Sequence, residues 1–330
     1  MSKPVIGLLA NHGSTQLDAI REAVEAEGGQ PLVLDIRLGG ENKPTMTITD
    51  DSLKYDGYDL SDVRAIHIRC NALNTIPSLP PVMNPTTYAQ FRHQFLVEQE
   101  YYASTMSFFD EYRSRGGLLV NSLSEVYLDH DSKSQFYEKL AANGFPAPVT
   151  LSTNSPERAE AFVREVGEAV VKPASGVGST RIVTTADLAS LSRLSHSPIL
   201  MQECVKGPTI RVHIVGDQVV LALKIINEGG VDSRTETKEF HYYDMPEDAC
   251  EKIVRCNRML GLHYAAWDVI EVEGGNGYCY LDCNPGPYVM WIGEDFYREV
   301  FRNLARYMIV FAESGSVEQA SRSVRRVERI

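Results

Sequence analysis

The residues with the plainest chemistry lie in Ala169–Thr180, AVVKPASGVGST. An apolar strand delivers Lys172 and then breaks into a loop holding Gly176 and Gly178. Glycines let a backbone take positive φ and approach a ligand closely, and the N–H groups of such a turn favour an anion. A lysine beside it is a compact point charge suited to phosphate. Alone, the stretch equally describes a β-hairpin with a solvated lysine. A second group is Asp268, in Trp-Asp-Val-Ile, with Asp282 and Asn284, in Leu-Asp-Cys-Asn. Strand residues two apart share a face, so Asp282 and Asn284 point the same way, and Asp268 on a paired strand reaches that face. Two carboxylates and an amide oxygen suit Mg²⁺. Acidic residues on an edge hairpin are the alternative, but the apolar flanks, where an unpaired carboxylate is costly, favour a metal site. Arg69, after the strand 63–68, stands where open α/β sheets bind ligands. A salt-bridged surface arginine would look the same.

The elements that must position these groups follow from periodicity. Val5–Ala10 reads as a strand, and Leu17, Ile20 and Val24 mark a helix stopping at Gly28–Gly29. Pro31–Ile36 returns as a strand, giving a βαβ opening; the loop 11–14 lacks a dinucleotide fingerprint and reads as a plain turn. Residues 39–60 are a ribbon or surface loop. The prolines at 77, 80, 81 and 85 place 74–85 in a loop, after which Thr86 caps a helix to Arg115 with Phe91, Phe95, Tyr102, Met106 and Phe109 as core. After Leu118–Val120, helix 131–143 and the linker 144–148 lead to strand 149–152. Ser155 and Pro156 then open another helix. Beyond the Lys172 strand come a strand 198–205, a hairpin 210–226, a polar flap at 227–239, a helix after Pro246, and a last hairpin across residues 274–277. A final helix carries Phe296, Val300, Leu304 and Met308, and the arginine-rich tail reads as a solvated helix end. This is an α/β chain in three segments, 1–120, 121–205 and 206–330.

Composition narrows the function classes. A net charge of −12 argues against a general nucleic-acid binder, which needs Lys and Arg to neutralise phosphates. No apolar run reaches the length of about 18 residues that a membrane helix needs, and the first residues look like a strand rather than a signal peptide. The six cysteines form no CxxC pair and sit mostly in apolar segments, so they read as reduced core residues of a cytoplasmic protein rather than metal ligands.

Taken in order, Lys133 after Asp131-Ser132, Lys172-Pro173 with the 174–180 loop, Gln202-Glu203-Cys204-Val205-Lys206-Gly207, Ile210-Arg211-Val212, Asp268, and Asp282-Cys283-Asn284 resemble the ATP-grasp superfamily. The similarity is nearest to the branch of the glutathione synthetases and the enzyme that adds glutamate to a ribosomal protein. A looser resemblance, through Asn284-Pro285-Gly286, Trp291-Ile292, Glu294, Arg69 and Thr153-Asn154-Ser155-Pro156, is to ligases that cyclise microviridin-like peptides. The resemblance implies an ATP-grasp fold behind a Rossmann-like N-terminal domain. It implies that Lys133 and Lys172 contact ATP phosphates, with Ser175, Gly176, Gly178 and Ser179 closing over them. Gln202, Glu203, Cys204 and Val205 would form the adenine hinge, and Thr209 would meet the ribose. Arg211 would steady the transferring group, and Asp268, Asp282 and Asn284 would hold Mg²⁺. Two positions depart from the usual pattern: Thr209 stands where an acidic residue is common, and Asp282 where glutamate is.

The reaction so implied joins a carboxylate to an amine through an acyl phosphate, releasing ADP and phosphate. Arg69, Arg211 and Lys224 are the candidates for acidic substrate groups, although Lys224 equally suits a strand surface. The substrate would be an amino acid or a peptide, with side-chain ester or amide formation in a precursor peptide as a variant. An ATP-grasp kinase and a non-catalytic nucleotide-binding module are the other classes, and a homodimer stays open beside a monomer.

Overall fold

The computed structural model describes residues 3–11, 13–37, 43–69, 79, 81–82, 84–126, 132–174, 180–227, 238–275 and 277–327. The expectations for Ser175, Gly176, Gly178, Ser179, His12, Cys70, Asp131 and most of the 227–239 segment lie outside the described residues.

The opening apolar run forms β1 (Val5–Ala10). The helical spacing after it gives α1 (Thr15–Ala26), which buries Leu17, Ile20 and Val24. β2 (Gln30–Asp35) pairs parallel to β1. A small antiparallel ribbon follows, made of β3 (Met46–Ile48), β4 (Leu53–Tyr55) and β5 (Tyr58–Asp59). β6 (Val63–Arg69) returns beside β1, and α2 (Pro85–Ser114) leads to β7 (Leu118–Val120). The result is a parallel sheet in the order β2-β1-β6-β7.

Two expectations about α2 are corrected. Its N-cap is Asn84 rather than Thr86. Asn84 Oδ1 accepts the N–H groups of Thr86 and Thr87, both at 3.0 Å, and Thr87 Oγ1 accepts the Asn84 N–H at 2.8 Å. Pro85 therefore belongs to the first turn, where its missing N–H has no helical partner to lose. Burial also starts late. Thr105, Phe108, Phe109 and Tyr112 are buried, whereas Phe91, Phe95, Tyr102 and Met106 are only half-buried.

The next elements are α3 (Leu123–Val126), α4 (Lys133–Ala142), β8 (Thr150–Thr153), α5 (Pro156–Val166), β9 (Glu168–Pro173) and β10 (Arg181–Thr184). A 3₁₀ stretch, Thr185–His196, precedes β11 (Ile199–Glu203). These strands make an antiparallel sheet in the order β10-β9-β11-β8. Then come β12 (Thr209–Val215), β13 (Gln218–Asn227), β14 (Lys238–Tyr242), α6 (Glu247–Met259), β15 (Tyr264–Glu271) and β16 (Tyr278–Asn284). They form a second antiparallel sheet in the order β14-β13-β12-β15-β16. The segment read as a flap is thus bounded by paired strand ends, Asn227 opposite Lys238. Between the two sheets Gly207 has φ +146°, and a Cβ there would stand 2.0 Å from the Glu271 carbonyl oxygen, so only glycine fits the passage.

The chain ends with α7 (Glu294–Ser314) and α8 (Val317–Ser323). Its tail is not simply solvated: Val324 and Val327 are buried, and the Val327 N–H donates to the Val220 carbonyl at 2.7 Å. Two compact units result, and they do not follow chain order. One is Met1–Leu123 with Tyr288–Trp291 and Tyr297–Val324; the other is Ser124–Pro287 with Ile292–Phe296 and Arg325–Ile330. Most of α7 therefore belongs with the opening parallel sheet, where Arg306 grips Glu27 through two hydrogen bonds of 3.0 and 3.1 Å. Among the described residues no helix is long and apolar enough to cross a membrane.

Candidate active site

Strand register assembles the acidic group. Arg211 on β12 lies opposite Asp268 on β15, Asp268 lies opposite Asp282 on β16, and Ala266 lies opposite Asn284. Alternation sends Trp267, Val269 and Cys283 into the core and leaves Asp268, Asp282 and Asn284 on the other face. Arg211 Nη1 donates to Asp268 Oδ2 at 2.6 Å. The Asn284 amide donates to the Ala266 carbonyl at 3.3 Å and lies 3.5 Å from Asp268 Oδ2, which leaves its carbonyl oxygen to act as a ligand.

The lysines arrive from separate elements. Lys133, the first residue of α4, donates to Asp282 Oδ1 at 2.9 Å and Oδ2 at 3.2 Å. Lys172, near the end of β9, donates at 2.8 Å to the hydroxyl of Tyr137, which in turn donates to the Leu281 carbonyl. The Lys133 and Arg211 side chains are each 6 % exposed, against 25 % for Asp268 and 30 % for Asp282. The cations are packed into the protein while the carboxylate oxygens stay open to the exterior. Burial is the largest single influence on the Asp282 carboxyl and pushes its pKa up. Lys133, Lys172 and Arg211 together outweigh it and hold the group below the ordinary carboxylate range. That balance suits a side chain that keeps part of its surface accessible.

His213 lies two residues beyond Arg211 on the same face of β12. Burial first, and the guanidinium second, hold its pKa well below the usual value, so it adds no charge beside Arg211. Neither of its ring nitrogens has a hydrogen-bond partner among the described residues.

The remaining predicted residues separate. Gln202 is buried and donates to Thr150 Oγ1 at 2.9 Å, while Glu203 accepts the Val149 N–H at 3.0 Å. Cys204 and Val205 follow, half-buried, and Thr209 opens β12. Lys224 lies opposite Ile210, on the face of the β12–β13 pair that Arg211 does not share. Arg69 ends β6 in the first unit. The five described cysteines are free, and burial pushes the Cys279 thiol up to about 11, which disfavours the thiolate that a metal would need. Among the described residues no three His, Cys, Asp or Glu side chains cluster as a metal site. Two carboxylates with an amide oxygen are the hard-oxygen set present, and it fits Mg²⁺, which keeps waters and phosphate oxygens as its other ligands.

Tyr137 is the site residue that sequence reasoning missed. The available signal was its place one helical turn after Lys133, on the same side of α4.

Residues 130–285 match the ATP-grasp domain family, a span that takes in Lys133, Lys172, Arg211 and all three oxygen donors. The chain carries an ATP-grasp domain. By sequence it is 28 % identical over 169 residues to the tetrahydromethanopterin:alpha-L-glutamate ligase of Methanocaldococcus jannaschii. That match covers 47 % of this chain and 57 % of the relative, so the chain spans little more than half the length of that enzyme. By structure it resembles the ATP-grasp ligase PsnB, solved with a phosphomimetic variant of its minimal precursor, Mg and ADP. The TM-score is 0.80 at 22 % identity, over 94 % of this chain and 100 % of PsnB. The macrocyclase MdnC of Microcystis aeruginosa MRC, solved with precursor peptide MdnA, gives 0.68 at 21 % identity, over 92 % and 99 %. The fold of an ATP-grasp ligase therefore extends over nearly the whole chain, beyond the ATP-grasp domain itself.

Proposed function

We propose that this chain is an ATP-dependent carboxylate–amine ligase working with Mg²⁺. The observation that carries the reading is the convergence of Lys133, Lys172 and Arg211 with Asp268, Asp282 and Asn284 in one unit. Three cations meet two carboxylates there, a balance suited to an anion that brings a divalent cation with it. Mg²⁺ held by Asp268, Asp282 and Asn284 would offset phosphate charge. Lys133 and Lys172 bind the phosphates, and Gln202 to Val205 with Thr209 meet the nucleoside. A substrate carboxylate oxygen attacks the γ-phosphorus as its bond to ADP breaks, giving an acyl phosphate that Arg211 steadies. An amine then attacks the acyl carbon, phosphate leaves, and the nitrogen loses a proton. Arg69 is the first unit's candidate for an acidic group on the substrate.

The substrate is an amino acid or a peptide, and the protein is cytoplasmic, as the five free cysteines among the described residues suit. A peptide whose side chains become joined as esters or amides is the narrower reading. What favours it is the likeness to PsnB and MdnC across more than nine-tenths of the chain. ADP release measured against amino acids, dipeptides and precursor peptides tests both. A ligase needs acid and nucleophile together and frees phosphate. ADP formed with one acceptor and no free phosphate would make the chain a kinase, and nucleotide binding without turnover would make it a binding module.

A further inference from the structure

Tyr137 is 2 % exposed, and its hydroxyl makes two bonds whose directions are fixed by chemistry. The Lys172 ammonium can only donate, so the hydroxyl accepts from it at 2.8 Å. The Leu281 carbonyl can only accept, so it takes the hydroxyl proton. Leu281 is the residue that the β15–β16 register skips: Asp268 pairs with Asp282 and Val269 with Tyr280. A bulged residue is released from ladder pairing, and here its carbonyl holds a side chain instead.

We propose that Tyr137 is a positioning residue that aims the Lys172 ammonium at the nucleotide phosphates, an inference that rests on reading Lys172 as a phosphate contact. The hydroxyl fixes both the distance and the direction of the ammonium. With its proton committed to Leu281, the hydroxyl works through the lysine and not on the phosphate. The relay also ties the tip of a side chain from β9 to α4 and β16, which belong to the other sheet's core.

The test is calorimetric titration of the full chain with MgATP alone, for wild type, Tyr137→Phe, Lys172→Ala and the double variant. Tyr137→Phe keeps the ring volume and is expected to weaken MgATP by about 10- to 150-fold, the worth of a hydrogen bond to a charged group. On the Lys172→Ala background the same change is expected to add nothing, because the two groups act as one. An equal loss in both backgrounds, unchanged affinity, or a Tyr137→Phe chain that does not fold would each overturn the proposal in favour of a structural tyrosine. A wild-type chain that binds no MgATP would instead overturn the reading of the whole site.

Discussion

The two antiparallel sheets of the ATP-grasp domain carry opposite groups on unequal foundations. The four-stranded sheet delivers Lys172 over a modest cluster of Ala159, Phe162, Val163, Ala169, Val171, Val183, Leu191 and Met201. The five-stranded sheet delivers Asp268, Asp282 and Asn284 over a far larger core, where Trp267 stacks edge-on against Tyr280 with 5.6 Å between ring centres. Strand β11 serves both, with Met201 in one cluster and Leu200 in the other. Oxygen ligands for a small cation would need fixed geometry, and the sheet with the smaller core is expected to open at lower free energy. The contrast predicts that the carboxylates stand on the stiffer sheet.

Four measurements sharpen or break that contrast. Trp267→Ala should cost about 3–5 kcal/mol, the range for large aromatic deletions in a core, read by denaturant unfolding. Asp268→Ala should lower turnover roughly 10²- to 10³-fold, as loss of a charge-stabilising group does, while circular dichroism stays unchanged. If activity with an identified substrate survives, Asp268 does not hold the metal. Acid should weaken the five-stranded sheet through His213. The unfolded chain takes up a proton near pH 6.5 that the buried ring refuses, so this stability is complete above that pH and lost as pH falls below it. His213→Val should flatten the stability profile below pH 6.5 by at most about 1.4 kcal/mol per pH unit. Val183→Ala in the smaller core should cost only about 1–3 kcal/mol, with β9 and β10 amides exchanging before those of β12 and β15. Equal protection of both sheets would end the contrast.

Much of the site was legible because its chemistry and its strand period agree. Asp282 and Asn284 are two apart on a strand, and Lys172 ends an apolar run. What escaped depends on irregular backbone. From the tight turn that pairs Val215 with Gln218, regular pairing would put Lys224 opposite Thr209, on the face of Arg211. The register slips by one between His213 and Ile214, so Lys224 falls opposite Ile210 instead. A similar slip in β16 frees the Leu281 carbonyl for Tyr137, and no composition signals it. Tyr137 itself reads as core and is core; only its hydroxyl contact reveals a second task. In α2, Pro85 reads as loop until Asn84 is seen capping the helix ahead of it.

Each carboxylate of the site already shares its charge with a basic neighbour, Asp282 with Lys133 and Asp268 with Arg211. A divalent ion that claims those oxygens would loosen both cations toward an incoming polyanion. A polyanion that draws the cations away would likewise bare the oxygens for the ion. By reciprocity the two guests should raise each other's affinity by the same factor, even though neither pair of partners was built to stay together.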